Sequence, residues 1–241
     1  MCRGFVLLVV LIVSFQAWAD DVPKHLQLAR ELIENIKPEN NKYDPQGYIA
    51  WKGDVFSSDY KVRAECGQFV GYMLDKGGSH AYSQLKSKTF WRRDPRSDNW
   101  YESVVKGYGF SNILDIREAK PGDVAVELYN KQIPLKVGGY AIGHVMLIDS
   151  IEQMEPRAPI IEDTLQWKVV ILDSTENPHG PTDTRFVPKD SGRDQVTGAG
   201  RGPIRIYTDS DGHVVGRAWS ENPRTYHSIA EYPFVIGHPI E

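Results

Sequence analysis

Apolar residues recur at the three-and-four spacing of an amphipathic helix in three parts of this chain. The first part covers residues 22–36, and Pro38 stops the pattern. The second has Cys66 in its opening turn and ends at Lys76, directly before two glycines. The third covers residues 97–106. The first half of the chain is therefore predicted to contain three helices.

Short apolar runs bounded by turn residues predict strands in the second half of the chain. The expected strands are residues 124–129, 144–149, 168–173, 205–208, 214–219 and 228–236. An Asp-Ser-Asp-Gly turn at 209–212 predicts a hairpin, whereas the glycine-rich residues 198–202 are predicted to form a flexible loop. Helices followed by strands are typical of the α+β class. We expect an antiparallel β-sheet packed on the helix that carries Cys66.

The first 19 residues have the features of an export signal. Arg3 precedes an apolar run over residues 5–15, and Ala17 and Ala19 form a small-x-small cleavage site. The apolar run is shorter than a membrane-spanning helix needs. We therefore expect a signal peptide at 1–19 and a single domain at 20–241. The mature protein is expected to be periplasmic or secreted, with no integral membrane span.

Charge and motifs narrow the classes of partner. The chain has 28 Lys and Arg against 32 Asp and Glu, a formal net charge of −4. This balance argues against nucleic acid or an anionic membrane surface as the main partner. The sequence contains no Cys-x-x-Cys and no His-Glu-x-x-His motif. We therefore predict no metal site and no cofactor, and we leave protein partners open.

Cys66 is the one cysteine expected in the mature chain, because Cys2 precedes the signal's apolar run. A single cysteine cannot form an internal disulfide, and an exported protein needs a reason to keep an unpaired thiol. At the start of a helix, unpaired backbone N–H groups and the helix dipole favour a thiolate. Cys66 is therefore the candidate nucleophile.

His144 is the candidate base, because it opens a predicted strand directly after Gly143. If strands 144–149 and 168–173 pair antiparallel, Asp173 comes beside His144. Its carboxylate could then hold one ring nitrogen while the other faces the thiol. His179 is the alternative orienting residue. Asp149 is a poorer one, because it lies farther along the strand on the opposite face.

Three blocks, in order, resemble those of the NlpC-type cell-wall cysteine peptidases of the papain-like clan. They are Cys66-Gly67 with Phe69-Val70, then Pro121-Gly122-Asp123 before a strand, then Gly143-His144-Val145. The resemblance spans residues 48–173 and implies a papain-like NlpC-type α+β fold. It also implies a thiol hydrolase that cuts amide bonds in peptidoglycan stem peptides. Glu65 and Gly67 replace the usual Asp and Ser, and Asp173 stands where histidine is common, which leaves the subfamily and substrate open.

The resemblance further implies an active-site tyrosine upstream of the cysteine, which helps to bind the oxyanion or the substrate. Tyr48 is the candidate and Tyr60 the alternative. From the residues themselves, three arginines after Asp173 are candidates for binding the carboxylates of an anionic peptide, since arginine matches that group with two bonds. They are Arg185, Arg201 and Arg205.

Two other functions fit the same residues. A papain-like acyltransferase or transpeptidase would use the same Cys66 thioester but pass the acyl group to an amine or a lipid. A cell-wall-binding module would keep the fold without turnover.

Overall fold

The computed structural model describes residues 22–55, 57–88, 94–189 and 192–240. The expected signal peptide at 1–19 lies outside these residues. The helices are α1 (Lys24–Asn35), α2 (Cys66–Lys76), α3 (Ala81–Lys88) and α4 (Ser97–Lys106), with short 3₁₀ turns at Pro38–Asn40 and Ile116–Glu118. Within the described ranges, no helix has the length and apolar character needed to cross a membrane.

Thirteen strands are distributed along the described chain. They are β1 (Asn41–Lys42), β2 (Tyr48–Ala50), β3 (Lys61–Arg63), β4 (Phe110–Ile113), β5 (Val124–Pro134), β6 (Tyr140–Met154), β7 (Leu165–Thr175), β8 (Phe186–Lys189), β9 (Gly192–Gln195), β10 (Gly198–Thr208), β11 (Val214–Ala218), β12 (His227–Ser228) and β13 (Phe234–Pro239). Eight of them form one antiparallel sheet in the order β12-β11-β10-β7-β6-β5-β13-β4. The strands β1, β3 and β2 form a small separate sheet, and β8 pairs with β9.

The expected papain-like α+β fold with N-terminal helices is wrong. The chain is mostly β, with 38% strand and 23% helix, and it is organised around the eight-stranded sheet. The prediction failed because the central strands run well past the apolar residues that announced them. Their ends carry polar side chains that the hydrophobic pattern does not recognise as strand.

Apolar side chains cover both faces of the large sheet, because successive residues of a strand point to opposite sides. Val145 and Leu147 join the cluster that contains the helices, including Phe69 of α2. Met146 and Ile148 join a second cluster with residues of β7, β10 and β13. The sheet curls so that β11 contacts β13, and Asp115 forms a bridge with His213. The second cluster is therefore enclosed by the curl of the sheet.

The structure confirms the three predicted helices, and α4 has the expected bounds. It also confirms the hairpin at 209–212, which joins β10 to β11. The prediction of a loop at 198–202 is wrong, because these residues are the first half of β10 and pair with β7. The sequence pattern missed α3 and the short strands β1–β4, β8 and β9, which carry few apolar positions.

Candidate active site

Cys66 is the first residue of α2, where backbone N–H groups have no partner within the helix. The buried Phe69 and the other apolar residues of α2 hold the helix against the sheet. Two polar contacts fix the entry to the helix. Gln68 Oε1 accepts a hydrogen bond from the Glu65 backbone N–H at 3.0 Å. Ser174 Oγ on β7 donates to the Ala64 carbonyl at 2.6 Å. The sulfur is therefore held at a defined position beside β7.

His144 and Asp173 are brought together by antiparallel pairing of β6 with β7. Leu147 lies opposite Leu172, so Asp173 comes two residues from His144 along β6, on the same face. His144 Nε2 lies 2.5 Å from Asp173 Oδ2. Cys66 lies near enough to the same imidazole to raise the pKa of His144. Because Asp173 occupies Nε2, Nδ1 is the nitrogen left for the sulfur.

Burial and neighbouring charges have opposite effects on the pKa values of His144 and Asp173. Burial lowers the pKa of His144, but the Cys66 sulfur and the Asp173 carboxylate outweigh it and raise the pKa to about 10. Burial likewise raises the pKa of Asp173, yet Arg185, His179 and His144 together hold that pKa well below its ordinary value. Around neutral pH the group therefore contains an aspartate anion and an imidazolium.

The raised pKa of His144 predicts how stability depends on pH. The His144 imidazole binds its proton more tightly in the folded chain than in the unfolded chain. Its contribution to the stability of the fold is therefore complete below the ordinary pKa of 6.5. That stabilisation is lost as the pH rises through about 10. We expect the melting temperature to fall between these pH values by more than in His144→Gln. Circular dichroism melts across this range test it, and parallel curves for the two proteins would contradict the prediction.

Cys66 lies in a cleft of about 390 Å³, beside a second cavity of about 380 Å³. The N-terminus of α4 lines the first cleft through Ser97, so the positive ends of α2 and α4 both face it. A Cβ on Gly143 would lie 2.8 Å from that of Ser97, so the glycine allows α4 to approach the residue before His144. The β5–β6 hairpin forms the opposite wall. Its tip is held by Glu176, whose carboxylate accepts the backbone N–H groups of Lys136 and Val137, each at 3.0 Å.

A tyrosine does line the cleft, but it is Tyr43. Burial raises the pKa of its phenol above the ordinary value, and negative charge at Cys66 raises it further. The structure does not bring Tyr48 or Tyr60 into this cleft. Tyr48 is 44% exposed and lines a separate surface pocket, and Tyr60 donates a hydrogen bond to Glu31 at 3.1 Å. The family resemblance implied a tyrosine upstream of Cys66, but no spacing rule distinguished Tyr43 from Tyr48 and Tyr60.

The three arginines predicted to bind substrate have other roles. Arg185 is fully buried and forms ion pairs with Asp173 and Asp183 at 2.8 and 2.7 Å. Arg205 is also fully buried, and it donates to the carbonyls of residues 157, 158 and 221. Arg201 binds Asp149 at 2.6 Å. The prediction that Arg185 and Arg205 bind substrate carboxylates is therefore wrong, since both guanidinium groups are buried and already bonded within the protein.

His179 is a second histidine that contacts Asp173. Its Nε2 is 2.8 Å from Asp173 Oδ2, and its ring packs against Trp219 with centroids 4.2 Å apart and an interplanar angle of 34°. The ligating atoms of His144, Asp173 and His179 lie within 4.8 Å of one another. Both histidines bond directly to Asp173 Oδ2, and Arg185 forms an ion pair with Oδ1. We therefore interpret the cluster as a polar network and not as a set of metal ligands.

Comparisons with known proteins give a relative but no function. The chain is 29% identical over 228 residues to the uncharacterized protein R653 of Acanthamoeba polyphaga mimivirus. The match covers 89% of this chain and 96% of that protein. No family model matches the chain. No solved structure matches it either.

Proposed function

We propose that this protein is an exported thiol hydrolase that cleaves amide bonds through Cys66. The observation that carries the proposal is that Cys66 lines a cleft, that His144 lies near it, and that Asp173 is bonded to His144. A thiol next to an imidazole that is oriented by a carboxylate is the arrangement used for nucleophilic acyl transfer.

In the proposed reaction, the Cys66 thiolate attacks the amide carbonyl carbon and the carbonyl oxygen takes the negative charge. The Cys66 backbone N–H and the Tyr43 hydroxyl donate to that oxygen. The C–N bond then breaks as the His144 imidazolium gives its proton to the leaving amine. A water molecule, deprotonated by His144, attacks the resulting thioester and releases the acid and the free thiol.

Peptidoglycan stem peptides are the proposed substrates. Support comes from the three sequence blocks around Cys66, Asp123 and His144, and from the export signal expected at 1–19. The cleft agrees with a peptide ligand in size, since binding clefts for small ligands usually measure about 300–1,000 Å³.

Acid quenching of a reaction with stem peptides tests the proposal. The expected result is an acyl adduct on the peptide that contains Cys66, together with new carboxyl ends that carry one ¹⁸O atom when the solvent is H₂¹⁸O. Mass spectrometry reads both. His144→Gln is expected to reduce product formation by about 10²-fold or more, because the proton transfers lose their carrier.

His238→Gln is the matched control. His238 also pairs with a buried aspartate, since its Nδ1 lies 2.6 Å from Asp123 Oδ1, but it is not part of the Cys66 cleft. This variant should retain turnover. Product formation that survives in His144→Gln at the wild-type rate would refute the assignment of His144 as base.

A further inference from the structure

Asp173 is bonded on three sides, and only one of its partners belongs to the proposed reaction. Arg185 Nη2 lies 2.8 Å from Oδ1, while His144 and His179 both contact Oδ2. Asp173, His179 and Arg185 are all 0% exposed. No proton transfer in the proposed reaction uses His179 or Arg185, so their burial against Asp173 requires another explanation.

The glycine-rich start of β10 makes room for these partners. A Cβ on Gly200 would lie 2.6 Å from Arg185 Nε, and one on Gly202 would lie 2.9 Å from the Cβ of His179. The two glycines share a face of β10 because they are two residues apart. Side chains at these positions would displace Arg185 and His179 from Asp173. The start of β10 therefore packs directly against the buried layer formed by Asp173, His179 and Arg185.

Asp183 holds both Arg185 and His179 in place. Its carboxylate binds Arg185 through Nε at 2.9 Å and Nη2 at 2.7 Å, and it accepts the backbone N–H of His179 at 2.8 Å. The His179 ring is fixed at its other end too, because Nδ1 lies 3.0 Å from the Trp219 carbonyl oxygen. Arg185 and His179 therefore reach Asp173 from defined positions.

We propose that Arg185 and His179 are positioning residues that divide the negative charge of Asp173 and so leave His144 able to release its proton. The inference rests on the proposed function, in which His144 must gain and lose a proton in each cycle. An undivided carboxylate would hold the imidazolium more tightly, and an imidazolium that cannot release its proton is a poor acid and base.

The other charged and titratable groups around His144 come from four elements. Cys66 lies on α2 and Tyr43 directly after β1. Glu127 of β5 is the strand partner of His144 and is paired with Arg217 of β11, and Tyr129 follows on β5. The hydrogen bonds and ion pairs that the structure describes for His179 and Arg185 involve none of these groups, so the effect of Asp173 can be isolated.

The sign of the effect follows from electrostatics. Removing a donor or a cation from Asp173 concentrates its charge on His144 and raises the pH at which the imidazolium loses its proton above about 10. Asp173→Asn removes the anion and must shift that pH in the opposite direction.

Histidine-labelled full-length protein tests the inference by ¹H–¹⁵N NMR titration, with His144 assigned by its loss in His144→Gln. We expect an upward shift of about half a pH unit or more in His179→Phe, which keeps a ring against Trp219, and in Arg185→Met. His179→Gln, which retains an N–H donor, should restore most of the wild-type value.

Arg205→Met is the matched control, since Arg205 is also a fully buried arginine but has no bond to Asp173. It should destabilise the fold without moving the titration of His144. If Arg185→Met does not fold, the two His179 variants decide the result. An unchanged or lowered titration in His179→Phe would overturn the inference. The readout needs no substrate, so it is independent of whether stem peptides are cleaved.

Discussion

Cys66→Ala is expected to reduce amide hydrolysis by about 10⁴-fold or more while the protein keeps its fold. In the proposed reaction the sulfur forms the acyl intermediate, and no other cysteine lies in the described part of the chain. The side chain is small, and alanine removes only its sulfur from the helix cluster, so its loss changes packing little. Product formation and the melting temperature are the measurements.

Reaction with iodoacetamide provides the substrate-free counterpart. Cys66 should react faster than glutathione at neutral pH, and the difference should shrink in His144→Gln because the neighbouring imidazolium is gone. Asp173→Asn should give an intermediate rate, since it lowers the pKa of the His144 imidazolium without removing the ring. Full hydrolytic activity in Cys66→Ala would end the assignment of a thiol nucleophile.

Arg217→Met is expected to lower the free energy of unfolding by about 3–5 kcal/mol, because it leaves a buried carboxylate without its cation. Arg217 and Glu127 form an ion pair between β11 and β5, and their side chains are 5% and 1% exposed. The pair lies inside the curl of the sheet, where water cannot replace the lost partner. Urea unfolding measures the loss.

The double variant Glu127→Met with Arg217→Met should recover most of that loss, since two apolar side chains remove both buried charges. Arg117→Met is the control, because Arg117 pairs with Asp115 at the exposed surface and its loss should matter much less. A double variant as unstable as Arg217→Met would show that the site depends on shape and not on paired charge.

Local pattern was sufficient to bring Cys66, His144 and Asp173 to one place. The helix start at Cys66 and the antiparallel pairing of the strands that carry His144 and Asp173 were both predicted, although β6 begins at Tyr140 and not at His144 as expected. The same reasoning could not identify Tyr43. It lies in a turn-rich stretch after a two-residue strand, where neither helical nor strand periodicity operates.

The predictions about the buried arginines and about the fold class failed for a different reason. Arg185 and Arg205 look like surface residues in the sequence, and only the pairing of distant strands shows that they are enclosed. Gly198–Gly202 looked like a loop, because glycine is rare in strand interiors unless another group approaches closely. Here that group is the buried layer of Arg185 and His179. The curl of the large sheet likewise depends on contacts between β11 and β13, which no local pattern encodes.

The β5–β6 hairpin has one more consequence. Its tip, anchored through Glu176, is the surface that a bound molecule would touch, and its second strand carries the imidazole itself. In the proposed reaction, substrate recognition and proton transfer would therefore share this one hairpin. A ligand too bulky for the space would push this hairpin outward and draw the ring away from the sulfur, so it could bind tightly and still react slowly.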